Sequence, residues 1–145
     1  MSTAYTDGTY LQKCPTWHIE DSAWKSVQII NMLEKNRILP EEICEIGCGA
    51  GEILNILSTR LTHTKKFTGY DISPQAIKMA NKIDNSRLVF KNQDLLDLQN
   101  IKYELLLIMD VVEHIEHYIE FLKRLKDKGD YKLFHFPLDF SCLTI

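Results

Sequence analysis

The sequence is sparing with the features that mark the more specialised classes of protein. It has four cysteines in 145 residues, Cys14, Cys44, Cys48 and Cys142, and no CxxC pair. Such scattered thiols suit neither a zinc cluster nor a disulfide framework, so reduced cysteines in a cytoplasmic chain are expected. Prolines number four, and no repeat, low-complexity tract or Pro-, Gly- or Ser-rich linker interrupts the chain. One compact domain burying roughly 70% of its unfolded surface is the expectation. The start, MSTAYTDGTY, lacks the basic and apolar regions of a signal peptide. The longest apolar block near the middle, residues 105–109, is closed by Asp110 and is far too short to span a bilayer. Neither sign of charge dominates: 17 Lys and Arg face 20 Asp and Glu, a net charge of −3. That balance gives no general attraction for nucleic acid or for an anionic membrane.

What is present is alternation. Residues 22–37 carry Trp24, Val27, Ile30, Met32 and Leu33 at helical spacing, with Asp21 or Ser22 available as N-cap and Pro40 beyond the end. A short apolar run, 43–46, leads into Gly47, Gly49 and Gly51, half the glycines of the chain, and then into a helical face of Ile53, Leu54, Ile56, Leu57 and Leu61. Residues 67–71 read as a second strand, followed by Ser73 as N-cap, Pro74 at the first helical position and a helix to about residue 82. Strands are predicted at 88–91, at 103–109 and at 131–136. The run 103–109 is almost continuously apolar, as when both faces of a parallel sheet are covered. A last helix is predicted over 115–128, with Ile115, Ile119, Leu122 and Leu125 on one face, the bases of 123–128 favoured by the helix dipole, and Gly129 as its stop. The alternation predicts an α/β fold: a Rossmann-like three-layer sandwich around a mainly parallel sheet of about five strands. Its ligand crevice should lie at the carboxyl ends of the strands.

The residues at those ends are polar or special five times over: Gly47 to Gly51, Asp71, Asp94, Asp110 to His114, and His135 to Asp139. The glycine run departs from the dinucleotide pattern GxGxxG, because its third glycine comes one position early and Glu52 stands where a glycine would be. A carboxylate there repels a phosphate. Asp71 follows Gly51 by 20 residues, at the end of a strand, where a carboxylate accepts hydrogen bonds from ribose hydroxyls. Both observations suit an adenosine-containing ligand without phosphate, and they argue against an NAD-dependent oxidoreductase.

At these residues the sequence resembles the class I S-adenosylmethionine-dependent methyltransferases. The resemblance is carried by EIGCGAG (45–51), GYDIS (69–73), NQDL (92–95) and LLLIMDVVEHI (105–115), in the order and spacing of that family. It implies a transferase that uses S-adenosylmethionine, leaves S-adenosylhomocysteine and methylates oxygen or nitrogen of a small-molecule acceptor. Glu45, Gly47, Cys48, Gly49 and Gly51 would border the methionine moiety, and Asp71 would hold the ribose. Asp94 would meet the adenine amino group, Ile72 and Leu95 would sandwich the adenine ring, and Asp110 would lie beside the cofactor. Other readings stay open at single positions. Asp94 can cap a turn, Asp110 can cap the following helix, and Trp17 and His18 either pack or cover the pocket. The resemblance further implies that residues 1–40 form a cover over a cofactor-binding unit of 41–145.

DVVEH, with Asp110, Glu113, His114 and then His117, resembles a metal-binding ExxEH string, but its first Glu is Asp and only His135 stands as a loose counterpart to a further histidine, so no metal is expected. His114 and His135 are the candidates for a proton acceptor, from their places after the fourth strand and at the end of the fifth. In the family a further helix and two antiparallel strands complete the sheet, whereas this sequence stops at Ile145. The fifth strand would then offer an open edge, giving either a homodimer or a marginally stable monomer, and a binding domain without turnover is the alternative to an enzyme.

Overall fold

The computed structural model describes residues 19–137. Its chain order is α1 (Ser22–Asn36), β1 (Glu42–Ile46), α2 (Glu52–Arg60), β2 (Lys66–Asp71), α3 (Pro74–Ala80), β3 (Leu88–Asn92), β4 (Tyr103–Met109), α4 (Tyr118–Arg124) and β5 (Gly129–His135). Short 3-10 turns stand before α1 (Ile19–Asp21), after β3 (Leu95–Asp97) and after β4 (Val112–His114). The five strands form one sheet in the order β3-β2-β1-β4-β5, and every pairing is parallel. The order reverses between β1 and β4. At such a switch point neighbouring crossovers leave to opposite sides, so a crevice opens at the carboxyl ends of those two strands.

Alternation along the central strands feeds two cores. Ile43 of β1 and Leu105, Leu107 and Met109 of β4 join Ile29, Leu33, Leu54 and Leu57 on the side of α1 and α2. Cys44, Ile46, Leu106 and Ile108 join Leu95, Phe121 and Leu125 on the other side. Burial of both faces is the reason β4 reads as one apolar run. Arg87 closes the far end of α2. Its guanidinium donates to the carbonyls of Leu61 (3.2 Å), Thr64 (2.9 Å) and Ser58, and lies over the Phe67 ring, satisfying acceptors that a helix C-terminus leaves open.

Two helices differ from their sequence reading. In α1 the buried stripe is Ser22, Lys25, Ser26, Ile29 and Leu33, whereas Trp24 and Met32 are 57% and 50% exposed. The first turns of α1 overlie the crevice and not the apolar core, so its inward face begins with polar residues that a search for apolar periodicity passes over. Asp21 occupies the N-cap position but its side chain makes no capping hydrogen bond. The last helix is shorter than 115–128, because Val112–His114 forms a 3-10 turn, Ile115 is extended and His117 is non-helical. It also turns Phe121 and Leu125 inward, leaving Ile119 and Leu122 exposed. Gly129 opens β5, where a Cβ would meet the Leu106 side chain at 2.7 Å. Trp17, His18 and Asp139 lie outside the described residues, as do Cys14 and Cys142.

Candidate functional site

A cavity of about 480 Å³ sits over the carboxyl ends of β1, β2 and β4, within the roughly 300–1,000 Å³ usual for small-molecule sites. Its floor is the turn between β1 and α2. Gly47, Gly49 and Gly51 there have φ of 70°, 53° and 82°, a region that side chains disfavour. The turn is also packed too closely for larger residues: a Cβ on Gly47 would lie 2.6 Å from Val111, and one on Gly51 would lie 2.5 Å from the Phe90 ring. The N–H groups of Gly47 and Cys48 donate to the Tyr70 carbonyl at 2.8 and 3.1 Å, which draws the turn against the end of β2.

That closure brings Asp71 to the glycines. Its Oδ2 accepts from the N–H of Gly49 at 2.9 Å and its Oδ1 from that of Ser73 at 2.8 Å. Burial pushes the carboxyl up, and the backbone donors oppose the shift without cancelling it. An ionised carboxylate has about four acceptor positions, and with the backbone N–H groups of Gly49, Ile72 and Ser73 on Asp71 it keeps acceptor capacity for a ligand. Asp94 also lines the cavity while its Oδ1 accepts from Leu96 N at 2.8 Å, so turn-capping and exposure to a ligand coexist in one side chain. Ile72 and Leu95 stand in the same wall.

Glu45, near the end of β1, is 2% exposed, and its Oε2 has no hydrogen-bond partner. Burial raises its pKa well above the ordinary range, the nearby Asp71 adds to this and Lys25 opposes it. An orphaned carboxylate oxygen in a cavity wall is costly unless a ligand brings a donor or a positive charge to it. Burial likewise pushes up the thiol of the cavity-lining Cys48, which favours an inert neutral side chain over a nucleophile.

Asp110 follows β4 with φ of 53°, a strained conformation for a residue with a side chain. Its carboxylate accepts from Lys25 Nζ at 2.5 Å through Oδ2 and faces His135 Nδ1 at 2.5 Å through Oδ1. Burial would raise its pKa, but those two partners outweigh it and hold the carboxyl below its usual range. Asp110 therefore caps no helix. Its side chain joins α1, β4 and β5 at the crevice. His114 and Glu113 line the cavity, whereas His135 does not: its ring is held by Asp110 and lies edge-on to Trp24 at 5.8 Å. The end of β5 turns that ring toward α1, which corrects the expectation that it faces the crevice. Among the described residues no three His, Cys, Asp or Glu side chains converge as a metal set.

Lys25 is the residue that sequence reasoning missed. It is 7% exposed and lines the cavity beside Asp110 and Glu45. The available signal was the spacing Ser22, Lys25, Ser26, Ile29, Leu33, one helical face whose polar end points at the strand termini. Among the described residues the charge in the lining is lopsided: Asp21, Glu45, Glu52, Asp71, Asp94, Asp110 and Glu113 supply seven carboxyl groups against the single ammonium of Lys25.

Residues 17–135 match the family described as methyltransferase domain. The chain belongs to that family. Among solved structures it is similar to the plantazolicin methyltransferase BpumL in complex with SAH, with 25% identity and a TM-score of 0.61 over 86% of this chain and 48% of that one. It is also similar to magnesium protoporphyrin IX methyltransferase (ChlM) from Synechocystis PCC 6803 with bound SAM, with 19% identity and a TM-score of 0.66 over 88% of this chain and 69% of that one. The second likeness is one of fold. The chain spans about half the length of the plantazolicin methyltransferase it matches. No curated protein sequence matches it significantly. Among the described residues no helix is long and apolar enough to cross a membrane.

Proposed function

We propose that this methyltransferase-family chain binds S-adenosylmethionine in the cavity at the β1–β4 switch point and transfers its methyl group to oxygen or nitrogen of a small-molecule acceptor. The observation that carries the reading is the joining of Asp71 to the glycine turn through Gly49 N, beside a buried Glu45 oxygen that has no partner. The residues fit the cofactor. Asp71 keeps acceptor positions for ribose hydroxyls, Gly47, Cys48, Gly49 and Gly51 leave room for close approach to the backbone, and Glu45 would take the cationic methionine end. Asp94 would receive the adenine amino group, with Ile72 and Leu95 on the ring faces. When bound, the cofactor supplies an activated methyl group on a sulfonium.

The chain's own work would then be binding, orientation and the handling of one proton. Reaction by in-line displacement rewards a nucleophile held at short distance and in line, so positioning is the main demand on the protein. Lys25 and His135 fix Asp110, and through it they fix the segment after β4 that carries Glu113 and His114. His114, in the lining, would accept the acceptor's proton, and His135 would act through Asp110 as a positioning residue. Residues 1–40, of which Ser22 and Lys25 line the cavity, would serve as its cover. We also infer that β5, at the sheet edge with Tyr131 52% exposed, pairs with a second copy. A second reading, binding without turnover, draws support from His135 lying off the cavity. The deciding experiment is transfer of radiolabelled methyl from S-adenosylmethionine across a panel of phenols, carboxylates and amines. Labelled product with a loss of at least tenfold in His114→Ala supports the enzyme, and cofactor binding without any labelled product supports the second reading.

A further inference from the structure

The order of the strands gives the crevice a direction. Across β3-β2-β1-β4 the cavity is lined in turn by Asp94 after β3, Asp71 at the end of β2, Glu45 in β1 and Asp110 after β4. Neighbouring strands lie about 4.8 Å apart, so an extended ligand laid over their ends passes these residues one after another. With adenine at Asp94 and ribose at Asp71, the amino-acid end of the cofactor reaches the boundary of β1 and β4. At that boundary α1 brings Lys25 into the lining, within electrostatic reach of Glu45 and bonded to Asp110.

The burial of Lys25 asks for more than one acceptor. Its side chain is only 9% exposed, and an ammonium taken out of water is costly unless acceptors replace the water. Asp110 supplies one at 2.5 Å, and the same carboxylate also faces His135. An ammonium carries three N–H donors, so the bond to Asp110 leaves donor capacity beside the cavity. The amino-acid end of S-adenosylmethionine carries a matching group, the carboxylate on the carbon that bears its ammonium.

We propose that Lys25 binds the α-carboxylate of the cofactor while keeping Asp110, so that the bound ligand clamps α1 to the segment after β4. This rests on the cofactor reading above. A charge-assisted hydrogen bond in so sheltered a position changes affinity by roughly tenfold or more.

Calorimetry of the parent chain with S-adenosylhomocysteine is done first. Absence of binding there overturns the cofactor reading and this proposal with it; the later outcomes bear on Lys25 alone. The same titration is then made with decarboxylated S-adenosylhomocysteine, which keeps the adenosine, sulfur and ammonium and lacks only the carboxylate. The parent should bind it roughly tenfold or more weakly. In Lys25→Met, S-adenosylhomocysteine should weaken to match the analogue, whose own affinity stays within about threefold of its parent value. Lys25→Arg, which keeps the charge, should retain a preference for the carboxylate-bearing ligand. A merely structural lysine would weaken both ligands alike. Hydrogen exchange tests the clamp in the parent itself: at saturation, S-adenosylhomocysteine should protect the amides of α1 more than the analogue does. Equal affinity of the parent for the two ligands, a preference that survives in Lys25→Met, or equal protection of α1 would each overturn the proposal.

Discussion

Single residues carry opposing electrostatic demands in this cavity. Glu45 is buried and its pKa is raised, so the folded state holds its proton more tightly than the unfolded chain does. Stability tied to Glu45 is therefore fully present below the ordinary glutamate range and is lost as pH rises from there toward the raised value. Asp71 shifts in the same direction. Asp110 has the opposite sign: its pKa is lowered, so its contribution is present above the ordinary aspartate value and is lost as pH falls through the lowered one. Thermal midpoints should accordingly fall above the carboxylate range, and Glu45→Gln should flatten that decline. A cationic ligand at Glu45 should stabilise the protein more as pH rises over the same interval, and a ligand-induced shift independent of pH would contradict the role given to it. The glycine turn makes a separate prediction. Gly51→Ala combines a φ of 82° with a Cβ 2.5 Å from Phe90, and should cost about 2–4 kcal/mol in urea unfolding. Adding Phe90→Leu should recover the steric part and leave the backbone part. An alanine variant as stable as the parent would show that the turn has room to spare.

Among the elements, α1 matters more than its sequence suggests. Lys25 is the group that ties it to β4, and replacing it with an apolar isostere leaves Asp110 short of a partner. Lys25→Met should destabilise by about 1–3 kcal/mol, whereas Lys35→Met, on the exposed face of the same helix, should stay within about 0.5 kcal/mol. Equal effects of the two would remove Lys25 from the structural account. The proposed pairing through β5, at the edge of the described sheet, predicts self-association by light scattering, reduced by Tyr131→Lys; a monodisperse and stable monomer would count against it. The strands were legible because the central sheet is buried on both faces, which makes β4 apolar save for Glu104, and because Gly47 follows β1 and Asp71 ends β2. Ser73 and Pro74 announced α3, and Ser73 does accept from Ala76 N. The inward faces of α1 and α4 were not legible. The first turns of α1 meet the cavity, which apolar periodicity does not describe, and α4 buries only Phe121, with Leu125 just beyond it. The pairing of Asp110 with Lys25 and His135 spans 85 and 25 residues of sequence, and no local spacing encodes it.

At the scale of the molecule, a parallel sheet with a reversal between β1 and β4 places four separate sequence motifs around one cavity, and family membership agrees with that arrangement. On the proposed reading the chain's central property is cofactor binding, and turnover and acceptor choice would depend on the mouth formed by α1 and the segment after β4. Asp71 connects these levels, since it ends β2, closes the glycine turn and keeps acceptor positions for a ligand. The most direct measurement is calorimetric titration of the chain and of Asp71→Ala with S-adenosylhomocysteine, with NAD as the competing ligand. The account predicts one binding site in the parent chain, a loss of about 1–3 kcal/mol in the variant and no displacement by NAD. Absence of binding in the parent, or equal affinity in Asp71→Ala, would contradict it.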